Sequence, residues 1–213
     1  AVSDLSWLFT RGYGEKSSGA IVGDRYALNG RQRIAARRCS CSEEALQRRL
    51  DHQVTAGQLA GAPLWIDGYN VLVTIEAALS RGVILVGRDG CYRDLASMHG
   101  NFKRVMETPA AIALIGKTLA RLRVEKAVWF LDQPVSNSGL LKQLFLQIAV
   151  AHQWNWTVEL VPDPDTILAG AGEIIASADS AVLDRCARWF NLAREVVNEH
   201  VQDAWITDLG RVE

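Results

Sequence analysis

From Leu64 onward, short runs of apolar residues alternate with longer segments in which apolar residues recur every three or four positions. The short runs predict buried strands, and the longer periodic segments predict amphipathic helices. Strands that alternate with crossover helices form a parallel sheet with helices on both faces. The pattern therefore predicts an α/β fold with a doubly wound parallel sheet. The predicted strands are LWID (64–67), GVILVG (82–87), KAVWFLD (126–132), TVELV (157–161) and EIIASAD (173–179), and the predicted helices cover 109–124, 138–153 and 180–201.

The beginning of the chain has a different pattern and predicts a small, mainly helical module. Apolar residues within the first ten positions indicate a short helix, and a loop rich in glycine and serine follows over 11–20. Residues 31–38 favour a further helix, and Ser42 with two glutamates after it is typical of a capped helix start. The predicted organisation is a helical module over 1–54, a linker over 55–63, the α/β domain over 64–200 and a C-terminal tail over 201–213.

The composition is that of a folded protein with a substantial core, since 49% of the 213 residues are hydrophobic and 22% are charged. Four cysteines, at 39, 41, 91 and 186, form no regular framework, so we expect reduced thiols in a cytoplasmic protein. The first residues lack the pattern of a signal peptide. No apolar run approaches the roughly 18 residues of a membrane span, so we expect no membrane partner.

Charge is distributed unevenly along the chain. Residues 1–52 contain 9 Lys and Arg and 6 Asp and Glu, a net +3, whereas the whole chain has a net charge of −1. A basic segment ahead of an acidic body suggests an anionic partner. Four arginines of the module are therefore candidates for binding the phosphate backbone of RNA, and the alternative is a solvated helix face. They are Arg31, Arg33, Arg37 and Arg38.

Three predicted strands each end on an aspartate: Asp67, Asp132 and Asp179. Ligands of open parallel sheets bind outside the carboxyl ends of the strands, so these carboxylates should share one edge. Asp184 follows five residues after Asp179 and is a further candidate. Carboxylates held together remain ionised when a cation compensates them, and oxygen ligands without His or Cys favour Mg²⁺ or Mn²⁺. The alternative is that each aspartate caps the next helix or forms a turn.

Other polar residues near these strand ends are candidates for binding phosphate. Ser136, Asn137 and Ser138 precede a predicted helix, whose free N–H groups suit an anion. Asn70, close to Asp67, is a candidate for orienting a phosphate or a metal-bound water. The alternatives are ordinary helix capping for the first three residues and an Asx turn for Asn70.

Three segments of the chain resemble the PIN-like nuclease domains, especially their NYN-type branch. The segments are IDGYNVL (66–72), VWFLD (128–132) and IASADSAVLDR (175–185), and the likeness covers roughly 64–200. Residues 11–41, from RGYG through RQR to RCSC, resemble a module that precedes such domains in uncharacterised prokaryotic proteins.

The resemblance implies a metal-dependent nuclease that binds Mg²⁺ or Mn²⁺ and cuts RNA. Asp67 matches the aspartate of the first strand, Asp132 the one after the central strand, and Asp179, together with Asp184, the late acidic group. The usual acidic residue on an intervening helix has no obvious counterpart, and Asp89 or Asp94 would have to replace it.

Three functions are compatible with these observations. The leading hypothesis is a metal-dependent ribonuclease whose metal ligands are Asp67, Asp132 and Asp179. The second is a non-catalytic protein of nuclease-like fold that binds RNA or a nucleotide. The third is an interaction or assembly protein, which could form a homo-oligomer.

Overall fold

The computed structural model of the protein describes residues 1–95 and 105–211. A short 3₁₀ turn, Ala56–Leu59, separates the N-terminal helices from the first strand. In chain order the elements are α1 (Val2–Thr10), α2 (Glu15–Arg25), α3 (Gly30–Arg38), α4 (Glu43–His52), β1 (Pro63–Asp67), α5 (Gly68–Leu79), β2 (Ile84–Val86), β3 (Tyr92–Arg93), α6 (Thr108–Arg121), β4 (Lys126–Asp132), α7 (Ser138–Ala151), β5 (Trp156–Val161), α8 (Pro164–Ala169), β6 (Ile174–Ala176), α9 (Ser180–Leu183), β7 (Arg188–Trp189), α10 (Leu192–His200) and β8 (Ile206–Asp208).

The main sheet has five parallel strands in the order β5-β4-β1-β6-β7. The chain moves outward from β1 through β4 to β5, and then returns to the other side of β1 with β6 and β7. The strand order therefore reverses between β1 and β6, which creates a crevice at the carboxyl ends of these two strands. This confirms the predicted α/β class, the parallel sheet and the helical N-terminal region.

Two apolar cores cover the two faces of this sheet. On β1, Leu64 and Ile66 belong to the larger core with α5, α6, α7 and α10. The intervening Trp65 packs on the opposite face, in a smaller core with α8 and α9. Successive side chains of a strand point to opposite faces, so the apolar run in β1 serves both cores.

A second, smaller sheet has the order β3-β2-β8. The predicted strand over 82–87 forms β2, but it lies in this sheet and not in the main one. Its parallel partner β8 comes from residues 206–208, so the segment 201–213, expected as a tail, contributes a strand to the fold. A pairing between segments so far apart in the chain leaves no local signal in the sequence.

The helical module differs from the prediction at α2, because Glu15–Arg25 is a helix where a loop was expected over 11–20. Packing against α3 stabilises this polar helix. The Arg33 guanidinium lies over Gly23, where an added Cβ would come within 2.0 Å of Nη1. Arg33 also donates to Asp24 Oδ1 at 2.6 Å and to the carbonyl of Leu28 at 2.9 Å. The predicted Ser42 cap is confirmed, since its side chain accepts from the Ala45 N–H at 3.1 Å.

The end of the main domain also differs from the prediction. Strand β6 ends at Ala176 and not at Asp179, because the following residues bond to side chains near β1. The expected helix over 180–201 is divided into α9, β7 and α10. Trp189 is fully buried as the last sheet residue, and its indole N–H donates to the Arg49 carbonyl of α4 at 2.7 Å.

All four cysteines are buried free thiols, as expected. Within the described ranges, no helix is both long enough and apolar enough to cross a bilayer.

Candidate functional site

Asp67 stands at the carboxyl end of β1 and is also the N-cap of α5. Its Oδ1 accepts from the Asn70 N–H at 3.4 Å, so the alternative interpretation of this aspartate as a helix cap applies. Gly68 follows because α5 begins against β4, where an added Cβ would come within 2.5 Å of Leu131 and 2.9 Å of the Phe130 carbonyl. The cap uses only one oxygen of a carboxylate that is 5% exposed, so capping alone does not explain why it is buried.

The loop 177–179 after β6 is attached directly to Asp67 and its neighbour. The Ser177 hydroxyl donates to Asp67 Oδ2 at 2.7 Å and accepts from the Asp179 N–H at 3.0 Å. Asn70 Oδ1 accepts from the Ala178 N–H at 2.8 Å. Asn70 therefore positions this loop, which was not among the roles predicted for it.

Burial raises the pKa of Asp67 to about 7, and the nearby Asp165 and Asp179 carboxylates add to the effect. Burial likewise raises the pKa of Asp165 to about 6, with further contributions from Asp179, Asp132 and Asp163. Burial also raises the pKa of Asp132, as does Asp163. Asp165 is thus within electrostatic range of Asp67, Asp132 and Asp179, and we call these four residues the acidic edge.

Asp165 was not among the site residues predicted from the sequence. The neighbouring Asp163 caps α8, because its carboxylate accepts from Thr166. Asp165, two residues later, lies in the first turn of α8. The available signal was the end of β5 at Val161, because a fourth parallel strand also delivers its following residues to this edge.

The acidic edge has the donor chemistry of a site for Mg²⁺ or Mn²⁺, since it offers carboxylate oxygens without His or Cys. Among residues 1–95 and 105–211, however, no group of three or more His, Cys, Asp and Glu side chains is arranged to hold a metal ion. The prediction that Asp67, Asp132 and Asp179 bind such an ion stays a prediction.

Asp184 does not join the acidic edge in the way the resemblance implied. It ends α9, and its carboxylate accepts from Arg49 Nε of the module at 2.7 Å. Arg49 is buried and also donates to Asp89 Oδ2 at 2.6 Å. The structure therefore places Asp184 in the contact between the helical module and the α/β domain.

Asp89 is the centre of that contact. Arg93 donates to both of its oxygens, at 2.8 and 2.7 Å, and to the carbonyl of Ala178 at 2.9 Å. Burial opposes ionisation of Asp89, but Arg93 and Arg49 outweigh it and hold the pKa of that carboxyl far below its usual range. We call Arg49, Asp89, Arg93 and Asp184 the arginine network. Asp89 thus does not supply the missing acidic residue, and Asp94 accepts from Thr74 Oγ1 at 3.2 Å and contacts Arg38.

The four arginines predicted to bind phosphate divide into two pairs. Arg33 is held inside the module by Asp24, and Arg31 is exposed and does not line a described cleft near the acidic edge. Arg37 and Arg38 line a cavity of about 460 Å³ together with Asp179. Arg37 is paired with Glu15 at 3.3 Å, and Arg38 donates to the Asp94 carbonyl at 2.7 Å.

The residues before α7 give little support to the predicted phosphate site. The buried Ser138 hydroxyl donates inward to the Gln133 carbonyl at 3.3 Å, so it does not face a ligand. Ser136 and Asn137 are exposed, and Asn137 adopts a left-handed conformation with φ of 65°. For these two residues phosphate binding stays a prediction.

The chain matches two sequence families. The family described as "Domain of unknown function (DUF5616)" matches residues 56–195, and the one described as "Protein of unknown function (DUF434)" matches residues 1–52. An uncharacterized protein of Methanocaldococcus jannaschii is 28% identical over 183 residues, which are 86% of this chain and 87% of that protein. No solved structure matches the chain. Because the first match covers well over half of the sequence, the chain belongs to the family described as Domain of unknown function (DUF5616).

Proposed function

We propose that the protein is a metal-dependent phosphodiesterase that acts on RNA, with a PIN-like α/β domain and the acidic edge as its active site. The observation that carries the proposal is the position of Asp67 and Asp165. Their pKa values are raised, and Asp179, whose carboxylate contributes to both shifts, lines a cavity together with Arg37 and Arg38. Residues with strongly perturbed pKa values in a cleft are candidates for function.

Charge balance argues for a cation at this edge. In the described part of the chain, no Lys or Arg side chain forms an ion pair with Asp67, Asp132, Asp165 or Asp179. Several carboxylates in one place disfavour each other's ionisation unless a cation compensates them. Bound Mg²⁺ or Mn²⁺ would lower the pKa of a coordinated water and stabilise charge on the phosphate.

The protein side chains then have distinct roles. The acidic edge would supply the oxygen ligands of the metal ion, from Asp67, Asp132, Asp165 and Asp179. Ser177 holds the Asp67 carboxylate through a hydrogen bond of 2.7 Å, and Asn70 fixes the loop that carries Asp179. Arg37 and Arg38 would attract the phosphate backbone towards this edge. The PIN-like assignment is supported by IDGYN at the central strand and by the reversal of strand order beside it.

The test is cleavage of a single-stranded RNA in the presence of Mn²⁺, with EDTA as the metal-free control. We expect Asp67→Asn and Asp165→Asn to abolish cleavage. Asp203→Asn is the matched control, because Asp203 forms an exposed ion pair with Arg81 away from the sheet edge. Cleavage that survives both substitutions at the acidic edge would refute this active site.

A second candidate function is RNA or nucleotide binding without cleavage. The observation that favours it is the cavity lined by Arg37 and Arg38, which provides positive charge whether or not the acidic edge acts as a catalyst. RNA binding by the parent protein, without cleavage in Mg²⁺ or Mn²⁺, would favour this candidate over the first.

A further inference from the structure

Two adjoining cavities separate the helical module from the α/β domain. The first, of about 460 Å³, lies next to Asp179, and the second, of about 260 Å³, extends towards the turn between α1 and α2. Glu15, Arg37 and Ser180 line both of them, so the two form one continuous groove. We call it the interdomain cleft.

The two ends of the interdomain cleft differ in chemistry. Phe9 and Tyr13 stand at the end remote from the acidic edge, and Tyr13 is 53% exposed. Arg37 lies where the cavities meet, and Arg38 lines the end next to Asp179. The cleft is also lined by the carboxylates of Glu15, Asp179 and Asp184. A groove that combines arginines with aromatic side chains suits a single-stranded nucleic acid, whose bases stack on the rings while its phosphates contact the arginines.

The walls of the interdomain cleft are held in fixed positions by the arginine network. Arg49 of α4 contacts Asp184 and Asp89, and Asp89 is bonded to both guanidinium nitrogens at the end of Arg93. Arg93 in turn binds the carbonyl of Ala178, next to Asp179. The module is therefore connected to the loop of the acidic edge through buried charged hydrogen bonds. Such a preformed groove loses little conformational freedom when a ligand binds.

We propose that the interdomain cleft binds single-stranded RNA, with a base stacked on Tyr13 and phosphates at Arg37 and Arg38, and leads the strand to the acidic edge. This inference rests on the proposed function, and it names the substrate class and the path of the substrate. Glu15 holds Arg37 at 3.3 Å when no RNA is bound, and a phosphate replaces Glu15 as the partner of Arg37.

The first test measures the affinity for a labelled single-stranded RNA of about 10 nucleotides by fluorescence anisotropy in EDTA. We expect Tyr13→Ala to weaken binding about tenfold, since loss of one base–aromatic stack corresponds to about 1.4 kcal/mol. Trp7→Ala is the matched control. Trp7 is also in the module and 54% exposed, but it stacks with Arg11 and does not line the interdomain cleft. Melting curves of both variants verify that they are folded.

The second test changes the charge in the middle of the interdomain cleft. Arg37→Ala should weaken binding and reduce the salt dependence, log Kd against log salt, by about 0.7 for one lost phosphate contact. Glu15→Gln should act in the opposite direction and tighten binding, because it releases Arg37 and removes a negative charge. Arg25→Ala is the control, since Arg25 is an exposed module arginine near Asp4 and lies outside the cleft.

The outcomes separate this inference from the proposed function. If Tyr13→Ala and Arg37→Ala bind RNA like their controls while Asp67→Asn abolishes cleavage, the interdomain cleft is not the RNA path, although the active site stands. If both variants weaken binding but the parent protein never cleaves RNA, the cleft stands and the phosphodiesterase does not. Tighter binding of double-stranded RNA, or no detectable binding of the single strand by the parent, would overturn the cleft assignment.

Discussion

The acidic edge and the arginine network each contain one buried aspartate, but the charges of the two regions are compensated in opposite ways. Asp89 has two buried arginines as partners, which hold its pKa far below the usual range against the effect of burial. Asp67 has a hydroxyl and a backbone N–H as partners and other carboxylates as neighbours, so burial raises its pKa to about 7. The Asp89 carboxylate is thus stable as an anion in the arginine network, whereas the Asp67 carboxylate is much less stable as an anion at the acidic edge.

The difference separates a structural role from a functional one. The arginine network is electrically balanced and connects the helical module to the α/β domain, so it has no need of a ligand. The acidic edge lacks that balance, and a site that is poorly stabilised on its own is typical of residues retained for binding or catalysis. The two regions meet at Ala178 and Asp179, where the arginine network positions the loop of the acidic edge.

We expect the largest change in unfolding free energy when the negative charge of Asp89 is removed from the arginine network. Asp89→Asn leaves Arg49 and Arg93 buried without their shared carboxylate, and breaking such a pair costs about 3–5 kcal/mol. The measurement is urea unfolding at pH 7. Asp203→Asn is the control, since its exposed pair with Arg81 is worth about 0–1 kcal/mol. Equal unfolding free energies for the two variants would mean that the arginine network does not hold the fold together.

The second prediction is that removing the charge of Asp67 from the acidic edge stabilises the protein, whereas removing that of Asp89 destabilises it. The folded pKa of Asp67, about 7, lies above its ordinary value of 3.8, so the folded state binds the extra proton between these values. The unfolding free energy therefore falls as pH rises from about 4 to 7 and levels off above that window. Asp67→Asn removes this pH-dependent loss and retains an N-cap. The unfolding free energy of the variant should therefore exceed that of the parent by on the order of 2–4 kcal/mol at pH 8.

Urea unfolding of both proteins at a series of pH values checks this prediction. Burial also raises the pKa of Glu76 to about 7, so part of the decline should remain in the variant. Asp89 contributes with the opposite sign, because its lowered pKa gives stability that is lost only as pH falls below about 4. A variant that is less stable than the parent at pH 8 would show that Asp67 is mainly a structural cap.

The sequence predicted the strands that follow a local apolar pattern and the aspartates at their ends. Strands β1, β4 and β5 are apolar runs, and parallel order follows from their alternation with helices, so Asp67 and Asp132 could be placed at one edge. Asp165 was not placed there, although the end of β5 at Val161 was a signal for it. The pairing of β2 with β8 likewise joins segments that are distant in the chain.

One error in the secondary structure led to another in the site. The polar composition of α2 hid a helix that is stabilised by packing, and Asp24 on that helix is the partner of Arg33. Without α2, Arg33 and Arg37 looked equivalent on one helix. With it, Arg33 is occupied inside the module and Arg37 faces the interdomain cleft. The sequence marked Arg49 no more than any other arginine, since its partners Asp89 and Asp184 lie 40 and 135 positions away.

The third prediction is that a divalent cation compensates the negative charge of the acidic edge and thereby stabilises the folded protein. At ten times its Kd, Mn²⁺ should stabilise the parent by about 1.4 kcal/mol through mass action, which raises Tm by roughly 3–6 °C. Asp67→Asn should respond much less, because the edge has lost a carboxylate. Differential scanning fluorimetry at pH 8 with and without Mn²⁺ provides the measurement. A shift of equal size in both proteins would place the bound ion somewhere else.

The smallest effect is expected at Asp184, which tests where the boundary between the two regions lies. Its carboxylate accepts from Arg49 at 2.7 Å, but its side chain is 41% exposed, and Asp89 still compensates Arg49 after the substitution. Asp184→Asn should therefore cost only about 0.5–1 kcal/mol in urea unfolding, as expected for a pair open to solvent. The variant should also keep the full Mn²⁺ shift in Tm, unlike Asp67→Asn. If Asp184→Asn instead abolishes that shift, Asp184 belongs to the acidic edge, as the resemblance to PIN-like domains implied, and its contact with Arg49 is secondary.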